Sequence, residues 1–429
     1  MNSVKIKNRL NTTSGMIAVT SLSNLIGSIL NIVAGLIVAK LLLPEELGLF
    51  NSFSIFTGYI ILLQIGIPSG LSRELPFFFG KGEIEKAHKF ASTAQFFSLS
   101  ISILILVISI VVAGYFYYLS SIDYAFGSII IGITSFRAFY VTKYLKILYR
   151  SNTDFNKLAT IDFIFAVISL LSVVFIWLYG FYGLGIRVFL TVLVELIISF
   201  YWRPIRIKPE WSLVRFKELF KIGGSMFFVS SIYGLWPTIQ RTVILSLGGV
   251  KALGLFALAF IVQSMLGIVS SSISNISFPK MSYAYGKGAS FKEILNIPLT
   301  FVLYAIVLHI IVAIIGWFLL PIVVEMFLPN YIEGTEAAQW MLIVSLVSVL
   351  VIFSNIYMVI NRNTDRLKSN VLGMLVWFIA VYVQYKWYGF DLIIFPISLV
   401  IGYLSSFIID GYFFNKYYIN SLNNIKVKK

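Results

Sequence analysis

The chain has 429 residues, of which 59% are hydrophobic and only 12% are charged. Soluble domains carry roughly 25% charged residues, so this composition indicates a polytopic membrane protein. The sequence contains no cysteine, which excludes disulfides, thiol catalysis and thiolate-ligated metals. With two histidines and few clustered carboxylates, it predicts no metal site and no cofactor.

Twelve apolar stretches are long enough to form transmembrane helices, since a span needs about 20 apolar residues. The first stretch is too long for the core of a cleaved signal peptide, so it is predicted to be a retained span. The predicted spans are 16–39, 47–71, 91–117, 124–145, 159–179, 184–202, 222–247, 252–278, 297–320, 338–360, 370–388 and 392–413.

Lysine and arginine residues fall mostly on one side of these spans. If the N-terminus is cytoplasmic, the inner segments together with Lys143 hold 27 of the 33 Lys and Arg residues. Positive residues concentrate in cytoplasmic loops, so both termini are predicted to be cytoplasmic. This asymmetry accounts for most of the net charge of +15, which therefore does not indicate nucleic-acid binding. The inner segments are 1–15, 72–90, 146–158, 203–221, 279–296, 361–369 and 414–429.

A repeated motif divides the sequence into two similar halves. A shift of 206 residues places Leu-Gly-Leu-Phe at 47–50 on the same four residues at 253–256. The same shift places Gly-Lys-Gly at 80–82 on an identical tripeptide at 286–288. Internal repeats of this kind are common in membrane transporters. The sequence therefore predicts two related bundles of six helices.

The predicted bundles occupy residues 1–202 and 222–429, and a cytoplasmic linker at 203–221 joins them. In the linker, Leu213, Phe216 and Phe220 fall near one face of a short predicted helix, with basic residues among them. This pattern is typical of a helix on the inner membrane surface. A solvated linker that carries topology charges is the alternative.

Polar and small side chains recur every three or four residues along spans 1 and 8. Asn24 and Asn31 share one face of span 1, and Gln263 begins a similar stripe on span 8. Such stripes either pack helices together or line a cavity. Because both halves carry one, we treat Asn24, Asn31 and Gln263 as candidate substrate-binding residues.

Charged residues inside predicted spans are stronger candidates, since each costs roughly 3 kcal/mol at the bilayer centre. Arg137 and Glu195 lie at similar depth in spans 4 and 6, so they could form a pair. Two interpretations remain open: a structural ion pair, or an anion-binding Arg137 beside a proton-carrying Glu195. Asp162 in span 5 is a second ion-coupling candidate, or else a structural partner of Lys143 or Lys146.

Two further arginines lie within spans, Arg187 and Arg241. Arg241 follows Pro237, which removes a helix hydrogen bond, and a broken helix beside an arginine is a common way to build a midplane binding site. Snorkelling to the outer interface is the alternative for both arginines. His309 in span 9 is predicted to be a packing residue rather than a proton relay.

No nucleophile–base set and no ATPase motif accompanies these residues. The Gly-Lys-Gly tripeptide at 80–82 lacks the strand–loop–helix context of a phosphate-binding loop. The sequence therefore predicts neither an enzyme nor an ATP-driven pump.

Several short motifs occur in order along the chain. They are Pro-Glu-Glu-Leu-Gly-Leu-Phe at 44–50, Arg-Glu-Leu-Pro at 73–76, Ile-Gln-Arg at 239–241, Leu-Gly-Leu-Phe at 253–256 and Phe-Leu-Pro-Asn-Tyr at 327–331. Taken together, these motifs resemble the bacterial polysaccharide repeat-unit flippases that export O-antigen and capsule units (the Wzx type). That family belongs to the multidrug/oligosaccharidyl-lipid/polysaccharide (MOP) exporter superfamily, and the resemblance covers nearly the whole chain.

The resemblance implies an all-α MOP/MATE-like fold, with 12 transmembrane helices in two six-helix bundles around a central cavity. It implies an undecaprenyl-diphosphate-linked oligosaccharide as substrate, moved to the periplasmic leaflet of the bacterial inner membrane by alternating access. A proton or sodium gradient would drive transport, and the polysaccharide polymerase machinery would be a partner. Arg137, Arg187 and Arg241 would offer forked donors to the diphosphate.

One position departs from the pattern of this family. The residue before the arginine of span 7 is often acidic in relatives, and here it is Gln240. An ion-coupling acid at this position is therefore absent or replaced elsewhere. The alternative function is a cation-coupled multidrug exporter of the same fold, although such exporters favour acidic groups in the cavity.

Overall fold

The structure is a computed structural model that describes residues 26–427. The described residues are almost entirely helical, as expected for apolar segments whose backbone groups must bond internally in lipid. They form two compact units, and each unit is made of two separate stretches of the chain. The first unit comprises residues 26–42 and Phe50–Thr238, and the second comprises Leu43–Leu49 and residues 239–427.

The helices up to α10 lie mainly in the first unit. They are α1 (Ile26–Leu41), α2 (Pro44–Ile60), α3 (Ile67–Lys81), α4 (Ile84–Tyr118), α5 (Ile122–Phe136), α6 (Lys146–Ser151), α7 (Phe155–Leu171), α8 (Val174–Tyr179), α9 (Gly183–Tyr201) and α10 (Leu213–Gly234). A π-helical segment, Arg137–Leu145, joins α5 to α6 without a break. The apolar core of this unit includes Leu71, Leu75 and Tyr144.

The remaining helices belong to the second unit, apart from the first turn of α11. They are α11 (Trp236–Leu255), α12 (Ala257–Gly286), α13 (Phe291–Phe327), α14 (Thr335–Ser348), α15 (Asn355–Val359), α16 (Asn363–Tyr388) and α17 (Ile394–Val427). Short 3₁₀ segments, Pro329–Gly334 and Val349–Ser354, flank α14. Ser290 and Glu293 form a reciprocal capping box at the start of α13. The core of this unit centres on Met281, Ile356 and Tyr357.

Nine helical stretches of the described residues are long and apolar enough to cross a membrane. One of them, Phe155–Tyr201, would be about 70 Å long as a single helix, which is more than twice the hydrocarbon thickness. The 3₁₀ turn Gly180–Tyr182 divides it between the predicted spans 5 and 6. The shorter helix α1 corresponds to the described part of predicted span 1. The fold is therefore that of an all-α polytopic membrane protein, and it is compatible with twelve spans.

Predicted span 2, at 47–71, is not one helix, and that expectation was wrong. The helix α2 continues as a 3₁₀ segment, Ile61–Gln64, and then stops at Ile65 and Gly66, which both have positive φ. A new helix, α3, starts at Ile67 with Pro68 in its first turn. Proline has no N–H to continue the first helix, and its fixed φ suits the start of the next.

Span 7 is interrupted where the sequence predicted. The helix α10 ends at Gly234, and α11 begins at Trp236 with Pro237 in its first turn. A second kink at Gly249 (φ 73°) separates the end of span 7 from the start of span 8. Arg241 therefore lies in a helical piece that is bounded at both ends by a break.

The predicted linker helix is the beginning of α10 rather than a separate helix. Phe216 packs with Trp211, at a ring-centroid distance of 5.1 Å, and with Phe97, at 5.6 Å. Leu219 is fully buried, while Phe220 remains about half exposed. The linker is thus anchored on the first unit. The bundle boundaries at 202, 203 and 222 stay predictions.

The two copies of the repeated motif meet in the second unit. A Cβ atom on Gly48 would overlap the carbonyl oxygen of Val250, and a Cβ on Gly254 would overlap the carbonyl oxygen of Pro44. The shift of 206 residues relates Gly48 to Gly254 and Pro44 to Val250. The contact is therefore reciprocal, and only glycine leaves room for it. The fully buried Tyr331, from the motif at 327–331, lies in the same unit.

Candidate functional site

Glu195 forms the centre of a buried charge network in the first unit. Its side chain is fully buried, and each carboxylate oxygen contacts a different cation. Arg137 Nε lies 2.5 Å from Oε2, and Lys146 Nζ lies 2.8 Å from Oε1. Lys146 Nζ also lies 2.6 Å from Asp162 Oδ1. Two cations and two carboxylates therefore balance one another.

The π-helical segment explains how Arg137 and Lys146 reach the same carboxylate. They are nine positions apart, and in an α-helix of 3.6 residues per turn nine steps make two and a half turns. The two side chains would then point to opposite faces. A π-helix takes more residues per turn, so the same nine steps rotate less. Arg137–Leu145 is π-helical, and this brings both cations to the side where Glu195 lies.

Arg137 is held on two sides, but its outer edge is free. Its guanidinium carbon lies 4.3 Å from the ring centroid of Phe165, a cation–π contact. Its Nε donates to Glu195. Within residues 26–427, no hydrogen bond from either terminal Nη group is found, and the side chain is 31% exposed. Arg137 is thus oriented and partly accessible at the same time.

The structure brings together three of the residues selected from the sequence and adds two others. Arg137, Glu195 and Asp162 belong to one network, and the partner of Asp162 is Lys146 rather than Lys143. Lys146, as the bridging cation, and Phe165, as the stacking surface, were not identified as site residues. Phe165 lies one turn after Asp162 on α7, so the spacing of three residues was the available signal.

Arg187 is used inside the first unit. Its Nε donates to the carbonyl oxygen of Ser169 at 3.0 Å, and one Nη donates to the hydroxyl of Ser169 at 2.7 Å. These bonds tie α9 to α7. Much of the guanidinium is therefore occupied by a helix–helix contact.

Arg241, in the second unit, also stacks on an aromatic ring. Its guanidinium carbon lies 4.8 Å from the ring centroid of Phe260 on α12, and its Nε is buried with no hydrogen-bond partner among the described residues. The neighbouring Gln240 is 2% exposed, and neither atom of its amide has a partner in the same set. Two adjacent polar side chains thus retain unused hydrogen-bonding capacity.

The uncharged candidates give less information. Asn31 donates to the carbonyl oxygen of Gly27 in its own helix at 2.9 Å. Gln263 is half-buried on α12, and Asn24 lies outside the described residues. His309 is fully buried, and its Nδ1 lies 2.8 Å from the carbonyl oxygen of Ala305 one turn earlier. This contact agrees with a packing role for His309.

No group of three or more His, Asp or Glu side chains in the described chain could hold a metal ion. Buried acid outside the network is also paired: Tyr357 donates to Asp410 at 2.8 Å. The first unit thus presents a partly exposed arginine whose guanidinium is held by the ion-pair network around Glu195.

Comparison with solved structures identifies the fold. An inward-facing multidrug resistance MATE family transporter of the MOP superfamily matches with a TM-score of 0.67 and 17% identity, covering 92% of this chain and 96% of that one. An outward-facing MATE transporter of the same superfamily matches with a TM-score of 0.61 and 16% identity, over 95% and 96%. A MATE structure in the bent conformation matches with a TM-score of 0.63 and 17% identity, over the same shares.

Sequence comparison adds the family. No curated protein matches the chain, but a model of a family described as polysaccharide biosynthesis protein matches residues 37–315. This match covers most of the chain and agrees with the MATE-like exporter fold. The chain is a multi-pass membrane protein with a MATE-like fold, and it belongs to the polysaccharide biosynthesis protein family.

Proposed function

We propose that the protein is a flippase for undecaprenyl-diphosphate-linked oligosaccharide repeat units. It would move them from the cytoplasmic to the periplasmic leaflet of the bacterial inner membrane by alternating access. The observation that carries this proposal is the combination of a polysaccharide biosynthesis family match over residues 37–315 with an exporter fold. A protein that belongs to a polysaccharide biosynthesis family and has an exporter fold is expected to transport a component of polysaccharide assembly. The lipid-linked repeat unit is the intermediate that must move from one leaflet to the other.

The cationic side chains support an anionic substrate. Arg137 and Arg241 each stack on an aromatic ring and each retain unused donors, so we assign each of them a role in binding an anionic substrate. Arg187 is engaged with Ser169 and is assigned a supporting role. Asn31 and Gln263 are assigned to polar groups of the sugars. We further propose that both termini are cytoplasmic and that a proton or sodium gradient drives transport.

Deletion of the gene in its bacterial host tests the proposal. The deletion strain should lose its surface polysaccharide and accumulate lipid-linked repeat units, and expression of the wild-type chain should restore both. In proteoliposomes, the purified protein should make a lipid-linked oligosaccharide accessible to a membrane-impermeant lectin, faster under an imposed pH or sodium gradient. A deletion strain with normal surface polysaccharide would contradict the proposal.

A multidrug exporter is the second candidate, because the matched solved structures include multidrug resistance transporters. That function predicts a deletion strain with normal surface polysaccharide and increased sensitivity to cationic drugs. Measuring polysaccharide and drug sensitivity in the same strain separates the two functions.

A further inference from the structure

The four charges around Glu195 alternate in sign along a chain. The order is Arg137, Glu195, Lys146 and Asp162, with successive contacts of 2.5, 2.8 and 2.6 Å. Such a series has a cationic end at Arg137 and an anionic end at Asp162. The group that would extend the series beyond Arg137 is an anion. Both ends of the series are partly exposed, Arg137 at 31% and Asp162 at 36%, while the two central side chains, Glu195 and Lys146, are 0% and 11% exposed.

Lys146 affects how many hydrogen bonds the Glu195 carboxylate accepts from Arg137. An arginine and a carboxylate commonly form two parallel hydrogen bonds, which occupy both oxygens. Here the ammonium of Lys146 lies 2.8 Å from Oε1 of Glu195 as an ion pair, and Arg137 makes a single hydrogen bond from Nε to Oε2. The two Nη groups therefore remain available.

We propose that Lys146 is a positioning residue that keeps every Nη donor of Arg137 free to bind a phosphate group of the substrate, while Glu195 and Phe165 fix the plane of the guanidinium. Arg137 is then both a member of the ion network and the anion-binding group. This inference rests on the proposed function for the identity of the lipid that carries the phosphate, but the positioning itself does not depend on it.

The consequence for Lys146 is specific. Without the ammonium group, Oε1 of Glu195 becomes an acceptor for the Nη group next to Nε, and the pair closes into the two-bond arrangement. Arg137 then gives two of its five N–H donors to Glu195 instead of one, so it has one donor fewer for an anion. Removing Asp162 has the opposite effect, since Lys146 stays on Glu195 and the series gains net positive charge.

Binding to the purified full-length protein tests the inference. The probes are undecaprenyl diphosphate, inorganic pyrophosphate and the uncharged undecaprenol, and the dissociation constant is measured in detergent on the folded fraction. Arg137→Gln and Lys146→Met should each weaken binding of both diphosphates by about tenfold or more, equivalent to about 1.4 kcal/mol. Lys146→Arg should retain binding, because its guanidinium can also donate to Oε1. Lys143→Met is the matched control, three residues earlier on the same segment, and should bind as wild type.

A second variant covers the case in which Lys146→Met does not fold. Lys146→Met combined with Asp162→Asn removes one charge of each sign and leaves Arg137 and Glu195 as a neutral pair. This double variant should fold and should bind diphosphate about tenfold more weakly than wild type. Asp162→Asn alone should bind at least as tightly as wild type. Wild-type affinity in the folded double variant would overturn the inference.

The probes separate this inference from the proposed function. If pyrophosphate binds in an Arg137-dependent way and the polyprenyl chain adds no affinity, positioning by Lys146 stands and the lipid-linked substrate is contradicted. If neither diphosphate shows Arg137-dependent binding, the positioning inference is overturned, whatever the polysaccharide assays give.

Discussion

Arg137 and Glu195, 58 positions apart in the chain, are paired through Nε and Oε2 at 2.5 Å. Glu195 is the shared member, because it also contacts Lys146. Loss of Arg137 would therefore leave Glu195 with a partner, whereas loss of Glu195 would leave two cations facing each other. Removing Glu195 should therefore disturb the network more than removing Arg137.

This asymmetry predicts unequal effects on stability. Glu195→Leu should destabilise the protein by about 3–5 kcal/mol, the cost of leaving a buried partner uncompensated, and Arg137→Leu should cost less. The double replacement should recover much of the loss, because Lys146 and Asp162 remain paired. Thermal unfolding in detergent and the protein level in membranes measure the effect. Glu85→Gln, in an exposed pair with Lys89, is the control and should change little. Equal losses for the two single variants would contradict the network.

Arg241 should be required for transport. Arg241→Ala should abolish surface polysaccharide while the protein still inserts, and Arg241→Lys should restore it only in part, because an ammonium group lacks the forked donors. Surface polysaccharide and membrane protein level should be measured in the same strains. Lys251→Ala, at an exposed pair with Glu333 in the same unit, is the control and should transport normally. Full surface polysaccharide in Arg241→Ala would show that this arginine only snorkels.

Topology can be tested with reporter fusions. Because 27 of 33 Lys and Arg residues fall in the predicted inner segments or at Lys143, fusions at Asn2, Gly82 and Lys429 should report the cytoplasm. A fusion near Asn330 should report the periplasm. A periplasmic Gly82 would invalidate the predicted order of spans.

The reciprocal glycine contact should be sensitive at both of its positions. Gly48→Ala and Gly254→Ala each place a methyl group against a backbone carbonyl, so both should lower the melting temperature and to a similar extent. Gly80→Ala is the matched control, since a Cβ there meets no atom within 4 Å. It should be neutral or slightly stabilising, because alanine is the better helix former. A neutral Gly48→Ala would show that the contact can relax without cost.

Depth along the spans was enough to predict the pairing of Arg137 with Glu195, and proximity in sequence was enough to offer Lys146 as a partner for Asp162. The third contact, Lys146 with Glu195, could not be predicted. Sequence reasoning assigns faces by assuming 3.6 residues per turn, and under that assumption Arg137 and Lys146 point apart. The π-helical segment that changes the register depends on tertiary packing around it.

One of the two main helix interruptions was predicted from the sequence and the other was missed. Pro237 indicated the break between α10 and α11, since a proline inside an apolar run is a strong signal. The break at Ile65 and Gly66 was missed, because the apolar run continues through it and Pro68 was counted within span 2. A run of apolar residues predicts that a segment is long enough to cross a membrane, but it does not indicate whether the segment stays one helix.

The reciprocal contact between Gly48 and Gly254 has the form of an isologous interface, in which each copy offers the other the same surface. A chain of half this length, with one Leu-Gly-Leu-Phe motif, would meet a second copy of itself in this way. Within this single chain, two similar segments therefore meet as two copies of one surface. Pro44 and Val250 contribute only their backbone carbonyls, so their side chains can differ, whereas a side chain on either glycine would overlap a carbonyl oxygen.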